Sequence, residues 1–195
     1  MKATRNPPAD SSRNQLRIIA GKWRSRRLAF PDVEGLRPTG DRIRETLFNW
    51  IGPRIVDSRC LDAFAGSGAL GFEALSRGAA EVLLIENNAT AFRQLEASRQ
   101  LLDATGATLL RANTLTWLES ATANSSFDIV FLDPPFGSNL LDKILPLVVS
   151  KQLVAGDGLI YVETATDTSL SVPDGWCIRK EKRTGGIVCR LIGRT

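Results

Sequence analysis

The chain has no histidine among its 195 residues. That absence removes Ser-His triads, histidine metal sites and imidazole acid–base chemistry together. Any chemistry has to run on carboxylates, hydroxyls, backbone groups or a cofactor. Cysteine is scarce too: Cys60, Cys177 and Cys189 lie far apart with no C-x-x-C pair. This excludes a disulfide framework and a thiolate zinc site, and no metal is expected. No apolar run approaches the ~18 residues of a membrane span. The polar, basic segment 1–14 lacks the apolar stretch of a secretory signal. A cytoplasmic protein without a membrane partner is expected. There is no internal repeat and no low-complexity tract.

What is present is enough apolar sequence for one sizeable core in one domain of ordinary size. The charge is unevenly spread. Residues 1–30 hold Lys2, Arg5, Arg13, Arg17, Lys22, Arg24, Arg26 and Arg27 against Asp10 alone, a net of +7. The whole chain is +4, so residues 31–195 carry −3. A basic segment on a mildly acidic body fits a polyanionic partner, and equally fits a solvated tail. Residues 1–15, broken by Pro7 and Pro8, read as a disordered basic tail. Residues 16–35 read as a small N-terminal β-hairpin extension around Gly21, with strands near 16–19 and 27–30. The main domain is expected over 36–195. It opens with a helix over 41–51, capped by Asp41 and stopped by Gly52-Pro53.

From residue 59 the pattern alternates. Apolar strands are expected at 60–64, 81–85, 107–110, 127–132 and 159–162. Helices are expected at 69–77, 89–104, 115–121 and 140–149. Segments 176–182 and 187–192, joined around Gly185-Gly186, form a closing hairpin. Continuous apolar strands alternating with helices mean a mostly parallel sheet covered on both faces. The fold class is α/β, Rossmann-like, with a mostly parallel seven-stranded sheet and a C-terminal antiparallel hairpin.

The first strand of that sheet runs into Asp62-Ala-Phe-Ala-Gly66-Ser-Gly68-Ala-Leu-Gly71, and a helix follows. Glycines let backbone turn sharply beside a ligand, and this crossover lies at the ligand crevice of a doubly wound sheet. Glu86 ends the next strand 20 residues after Gly66, where an acid can accept from two ribose hydroxyls. Strand, glycines, helix and distal acid together signal a nucleoside. A pyrophosphate would find Asp62 repulsive, whereas the cationic ammonium of S-adenosylmethionine would be drawn to it. Asn113, past the third strand, either touches the adenine edge or caps helix 115–121.

The fourth strand delivers Asp133-Pro134-Pro135-Phe136 to the same edge. Two prolines stiffen the loop and leave carbonyl acceptors on display. An exocyclic amine offers two donors, which the Asp133 carboxylate and the Pro134 carbonyl can accept. Those bonds aim the nitrogen lone pair, so catalysis is largely positioning, and Asp133 can offset charge that builds on nitrogen. Phe136 can stack on a flat base.

With both loops in hand, the chain resembles the bacterial 16S ribosomal RNA guanine-N2 methyltransferases of the RsmD type, from about residue 16 to 192. Beyond the two loops, the resemblance rests on Arg17-Ile-Ile-Ala-Gly21 with Trp23-Arg24, and on Leu36-Arg-Pro-Thr39 with Asp41-Arg-x-Arg-Glu-Thr-Leu-Phe-Asn49. It implies a Rossmann-like S-adenosylmethionine-dependent methyltransferase that modifies the N2 amine of one guanine in 16S rRNA. The implied substrate is an assembling small-subunit particle, and the implied enzyme a monomer. Asp62, Phe64, Gly66, Gly68, Glu86, Asn87 and Asn113 would hold the cofactor, and Asp133 to Phe136 the guanine. Arg17, Lys22, Arg24, Arg26 and Arg27 would grip rRNA. Thr39 and Arg42 are candidates for the active-site wall. Ile43, Leu47 and Phe48 are expected in the core, while Arg42, Arg44 and Glu45 also fit a solvated helix face. Other readings are a DNA adenine-N6 methyltransferase, which uses a similar loop, a nicotinamide-dependent oxidoreductase, and a non-catalytic RNA-binding assembly factor.

Overall fold

A computed structural model of the chain describes residues 14–33, 39–122, 126–135 and 137–195. The expected tail 1–15 thus falls almost wholly outside the described residues, as does Phe136. Two short strands come first: β1 (Gln15–Arg17) and β2 (Arg27–Ala29) pair antiparallel, with Leu16 opposite Leu28. Helix α1 (Asp41–Ile51) follows. The alternating units are β3 (Arg59–Asp62), α2 (Ala69–Ser76), β4 (Glu81–Glu86), α3 (Ala89–Leu102), β5 (Ala107–Arg111), α4 (Thr114–Ser120), β6 (Phe127–Leu132), α5 (Leu141–Ser150) and β7 (Val154–Ala165). A hairpin of β8 (Trp176–Thr184) and β9 (Ile187–Arg194) closes the chain.

The seven-stranded sheet has the order β5-β4-β3-β6-β7-β9-β8, with β3 to β7 parallel and β9 and β8 antiparallel. This is the expected sheet and closing hairpin. One strand is much longer than expected: β7 begins at Val154 rather than near residue 159. Its pairing with β6 jumps from Phe127↔Val154 to Ile129↔Leu159, so Ala155 to Gly158 bulge out of register. That polar, glycine-containing insert hides the strand's start from an apolar-pattern reading.

The sheet is covered on both faces. On one side lie Leu47, Phe48 and Ile51 of α1, Phe72 and Leu75 of α2, and Leu95 of α3. On the other lie Leu118 of α4 and Ile144, Leu145 and Val148 of α5. The β1–β2 hairpin joins the first of these cores through Leu16, Ile18, Trp23 and Leu28. Its turn presses on α2, where Lys22 N–H donates to the Ser76 carbonyl at 2.8 Å. Gly21 has φ +81, and a Cβ there would overlap that carbonyl, so only glycine fits.

Helix α1 corrects two details. Gly40, not Asp41, occupies its cap position, with no side-chain cap. The Asp41 carboxylate instead accepts from Arg44 at 2.6 Å. Arg44, a candidate for the solvated face, is fully buried. Its guanidinium also reaches the Thr39 carbonyl at 3.1 Å, the Arg17 carbonyl at 2.8 Å and Glu73 at 3.2 Å. Glu73, equally buried, accepts from the N–H groups of Ile19 and Ala20 at 2.8 and 3.0 Å. Among the described residues, no helix is long and apolar enough to cross a membrane.

Candidate active site

The strand order reverses between β3 and β6: β4 and β5 extend to one side of β3, and β6 and β7 to the other. Ligands of open α/β sheets bind outside the carboxyl ends of the strands at such a point. Asp62 ends β3, and Asp133 comes directly after β6. Between and beyond them opens a cavity of about 930 Å³. Its floor carries Asp62, Phe64, Gly66, Glu86, Asn87 and Asn113, and its other end Thr39, Asp133, Pro134 and Pro135.

The acidic end is held by backbone donors. Asp62 is 2% exposed, and its Oδ2 accepts from Gly71 N–H at 2.9 Å. Burial raises its carboxyl to about 7 against the pull of that N–H, and the nearby charges of Asp133 and Glu86 add to the rise. Glu86 accepts from Gly66 N–H at 2.8 Å and Asn88 N–H at 2.6 Å. These bonds fix the carboxylate and leave lone pairs for further donors. Asn88 in turn caps α3, accepting from the N–H groups of Thr90 and Ala91.

Gly68 behaves differently from the other expected cofactor residues. It lies behind the cavity wall at the start of α2 with φ +78, and a Cβ there would overlap the Phe72 ring. Glycine at this position shapes the turn. Asn113 is a helix cap that also faces the cavity. Its side chain, at the start of α4, accepts from Thr116 N–H at 3.1 Å.

At the opposite end, Thr39 donates its hydroxyl to Asp133 Oδ2 at 3.3 Å. Burial raises the Asp133 carboxyl to about 6, and the Thr39 bond restrains the rise. Of the two wall candidates, only Thr39 stands on this cavity. Arg42 is exposed on α1 and borders a separate small cleft with Ile43, Thr46 and Lys182. The helix turn that buries Arg44 directs Arg42 away.

The hairpin cations Arg17, Lys22, Arg24, Arg26 and Arg27 are all exposed. Arg17 meets Asp41 at 3.4 Å, and the Lys22 ammonium lies 4.2 Å from the Trp23 ring centroid.

Glu163, Gly186 and Ile187, which belong to neither loop motif, also line the cavity. Glu163 closes the apolar run 159–162 much as Asp133 closes β6. That shared ending was the available signal. Gly186 and Ile187 arrive from the far end of the chain through the β8–β9 turn, which no local pattern announces.

A family model described as "Conserved hypothetical protein 95" matches residues 16–193. The chain is 45% identical over 193 residues to the Haemophilus influenzae protein named Ribosomal RNA small subunit methyltransferase D, covering 98% of each. It is 46% identical over 188 residues to the Escherichia coli K12 protein of the same name, covering 96% of this chain and 94% of that one. The solved structure of Escherichia coli yhhF superposes with a TM-score of 0.85 at 46% identity, covering 93% of this chain and 98% of that one. The family match, the shared fold and the near full-length similarity converge, and the chain belongs to this family, that of the RsmD-type ribosomal RNA small subunit methyltransferases.

Proposed function

We propose that this chain methylates the exocyclic N2 amine of a specific guanine in 16S rRNA, using S-adenosylmethionine and acting on assembling small subunits. The observation that carries the reading is the continuity of one cavity from the Asp62–Glu86 end to the Asp133-Pro134-Pro135 end. A methyl donor and an amine acceptor need adjoining chambers of just these chemistries. The names of the relatives support ribosomal RNA as substrate.

The residues of the acidic end fit the cofactor. Asp62 and Glu86 are acceptors that suit an ammonium and a ribose diol and repel a pyrophosphate. When bound, S-adenosylmethionine supplies an electrophilic methyl group. Asp133 and the Pro134 carbonyl hold the two amine hydrogens and turn the nitrogen lone pair toward that group. A carboxylate with its pKa raised to about 6 is also a competent acceptor for the proton the amine sheds. The exposed hairpin cations would meet rRNA phosphates, and bases in rRNA loops are cheap to splay out.

The test is transfer of labelled methyl to undermodified 30S particles, free 16S rRNA and duplex DNA, with Asp133→Ala as control. Label in guanine N2 of particles, lost in Asp133→Ala, is the expected result. Label in DNA adenine, or none anywhere, overturns the reading.

A further inference from the structure

The mechanism above leaves one cavity carboxylate without a task. Glu163 is 2% exposed and lines the same chamber as Asp133. The β6–β7 register pairs Phe131 with Tyr161 and Leu132 with Val162. One step further come Asp133, just past the end of β6, and Glu163, inside β7, with their carboxyls close enough to interact. Phe131 and Tyr161 share one face of the sheet, their rings edge-on at 6.4 Å. Two residues on, Asp133 and Glu163 return to that face.

The surroundings of Glu163 are polar but not cationic. Tyr161 donates its hydroxyl to Oε1 at 2.8 Å, and the Thr39 hydroxyl, the Asp133 carboxyl and the thiol of Cys189, its cross-strand partner, are further neighbours. Among the described residues, no cation lies within ion-pairing distance. Arg190, on the adjacent strand, turns to the other face and bonds Thr164 and Glu181. A buried carboxyl beside another carboxyl and without a counter-ion retains its proton, and burial and Asp133 together push Glu163 up to about 8. A protonated carboxyl is both donor and acceptor.

That pair of groups has a complement on guanine. Its lactam edge offers N1–H as a donor and O6 as an acceptor, directly beside the N2 amine. Resting on the guanine-N2 reading above, we infer that Glu163 pairs with the N1–H and O6 edge of the target guanine while Asp133 and Pro134 hold N2. Asp133 and Glu163 thereby divide the base: one positions the reacting amine, and the other selects guanine over purines that carry the amine without the lactam.

The test uses particles in which the guanine mapped with the wild-type enzyme is replaced by 2-aminopurine, which keeps the amine and lacks N1–H and O6. The wild type is expected to prefer guanine by about 10²-fold or more in kcat/KM, since a site built for a hydrogen-bonding edge rejects analogues lacking it. Glu163→Gln keeps a carbonyl and an N–H donor and should keep most of that preference. Glu163→Ala should lose guanine activity with little change on 2-aminopurine, collapsing the preference to within about 3-fold. Glu163→Leu fills the space without polar atoms and reports the same ratio if the alanine variant folds poorly. S-adenosylmethionine affinity by calorimetry checks that each variant is folded. Equal losses on both bases, or a wild type indifferent to the lactam, overturn the assignment. A wild type that labels no guanine at all is a separate result: it removes the guanine-N2 reading, and this inference with it.

Discussion

Arg44 and Glu73 form an ion pair at 3.2 Å with both side chains closed to solvent. The pair joins three parts of the molecule. Glu73 receives the backbone of the N-terminal hairpin, and Arg44 holds the carbonyls of Arg17 and Thr39. One buried contact thus fixes both the basic N-terminal hairpin and the residue that touches Asp133. Glu73→Ala strips Arg44 of its buried carboxylate, leaving the half-exposed Asp41 as its remaining ionic partner, and leaves the N–H groups of Ile19 and Ala20 without their acceptor. Removing one partner of a buried pair costs about 3–5 kcal/mol, so its urea midpoint should drop sharply at unchanged m-value. Glu73→Gln, which still accepts a hydrogen bond, should lose less.

Thr39 offers a sharper functional probe than Arg44. Its hydroxyl donates to the Asp133 carboxylate, and that bond sets the orientation of the carboxylate. Thr39→Ala should lower kcat by about 10-fold, the scale of one hydrogen bond to a charged group, while leaving S-adenosylmethionine affinity in place. Thr39→Ser should restore most of the rate. Single-turnover kinetics with cofactor calorimetry separate the two effects, and a loss of cofactor affinity equal to the loss of rate would show that the bond is not specific to the base end.

Much of this architecture was legible in the sequence, for identifiable reasons. The apolar runs of β3, β4 and β6 are short, continuous and followed by helices, so a covered parallel sheet follows from pattern alone. Asp62, Glu86 and Asp133 were legible because each ends such a run at a predictable edge. Arg44 was not: an arginine in Asp41-Arg-Ile-Arg-Glu reads as surface until Glu73, 29 residues away, supplies its partner. Arg42 stood equally close to the motif, yet it faces outward, because residues two apart in a helix point about 200° apart, to nearly opposite sides. Glu163 escaped notice since its meaning depends on β7 lying beside β6, a long-range pairing.

Burial of acids gives the fold a pH dependence with a definite sign. Asp62, Asp133 and Glu163 all have carboxyls raised above their ordinary values near 4. The folded state therefore binds more protons than the unfolded chain, and stability from these groups is present below pH 4 and lost as pH rises through about 6 to 8. Cofactor-free protein should melt at progressively lower temperature between pH 5 and pH 8 in scanning calorimetry. Asp62→Asn and Glu163→Gln should each flatten that slope.

The same acid links cofactor binding to proton release. A cationic ammonium favours the ionised form of Asp62, whose carboxyl stands at about 7 without it. Binding at pH 7 should expel about half a proton from this site, and more at pH 6. Titration calorimetry in two buffers of different ionisation enthalpy reads this directly, as unequal apparent binding heats. Asp62→Asn should bind weakly and lose the difference. Equal heats for the wild type would mean that Asp62 does not meet the charged end of the ligand.

Salt should separate the RNA surface from the cofactor site. If about four N-terminal cations contact phosphates, particle affinity should fall with salt at a log–log slope near −3. Arg24 and Arg27 are exposed and form no ion pair among the described residues, so both are free to meet an anion. Replacing the two by alanine should shrink the slope by about 1.4, since each phosphate contact on single-stranded RNA contributes roughly 0.7. Arg17 also faces Asp41, so Arg17→Ala should move the slope less. Cofactor affinity should stay the same in all of these variants, because the hairpin cations lie off the cavity that holds Asp62 and Glu86. A slope unchanged in the double variant, measured by filter binding to 30S particles from about 50 to 200 mM salt, would move the RNA contact to another face of the protein.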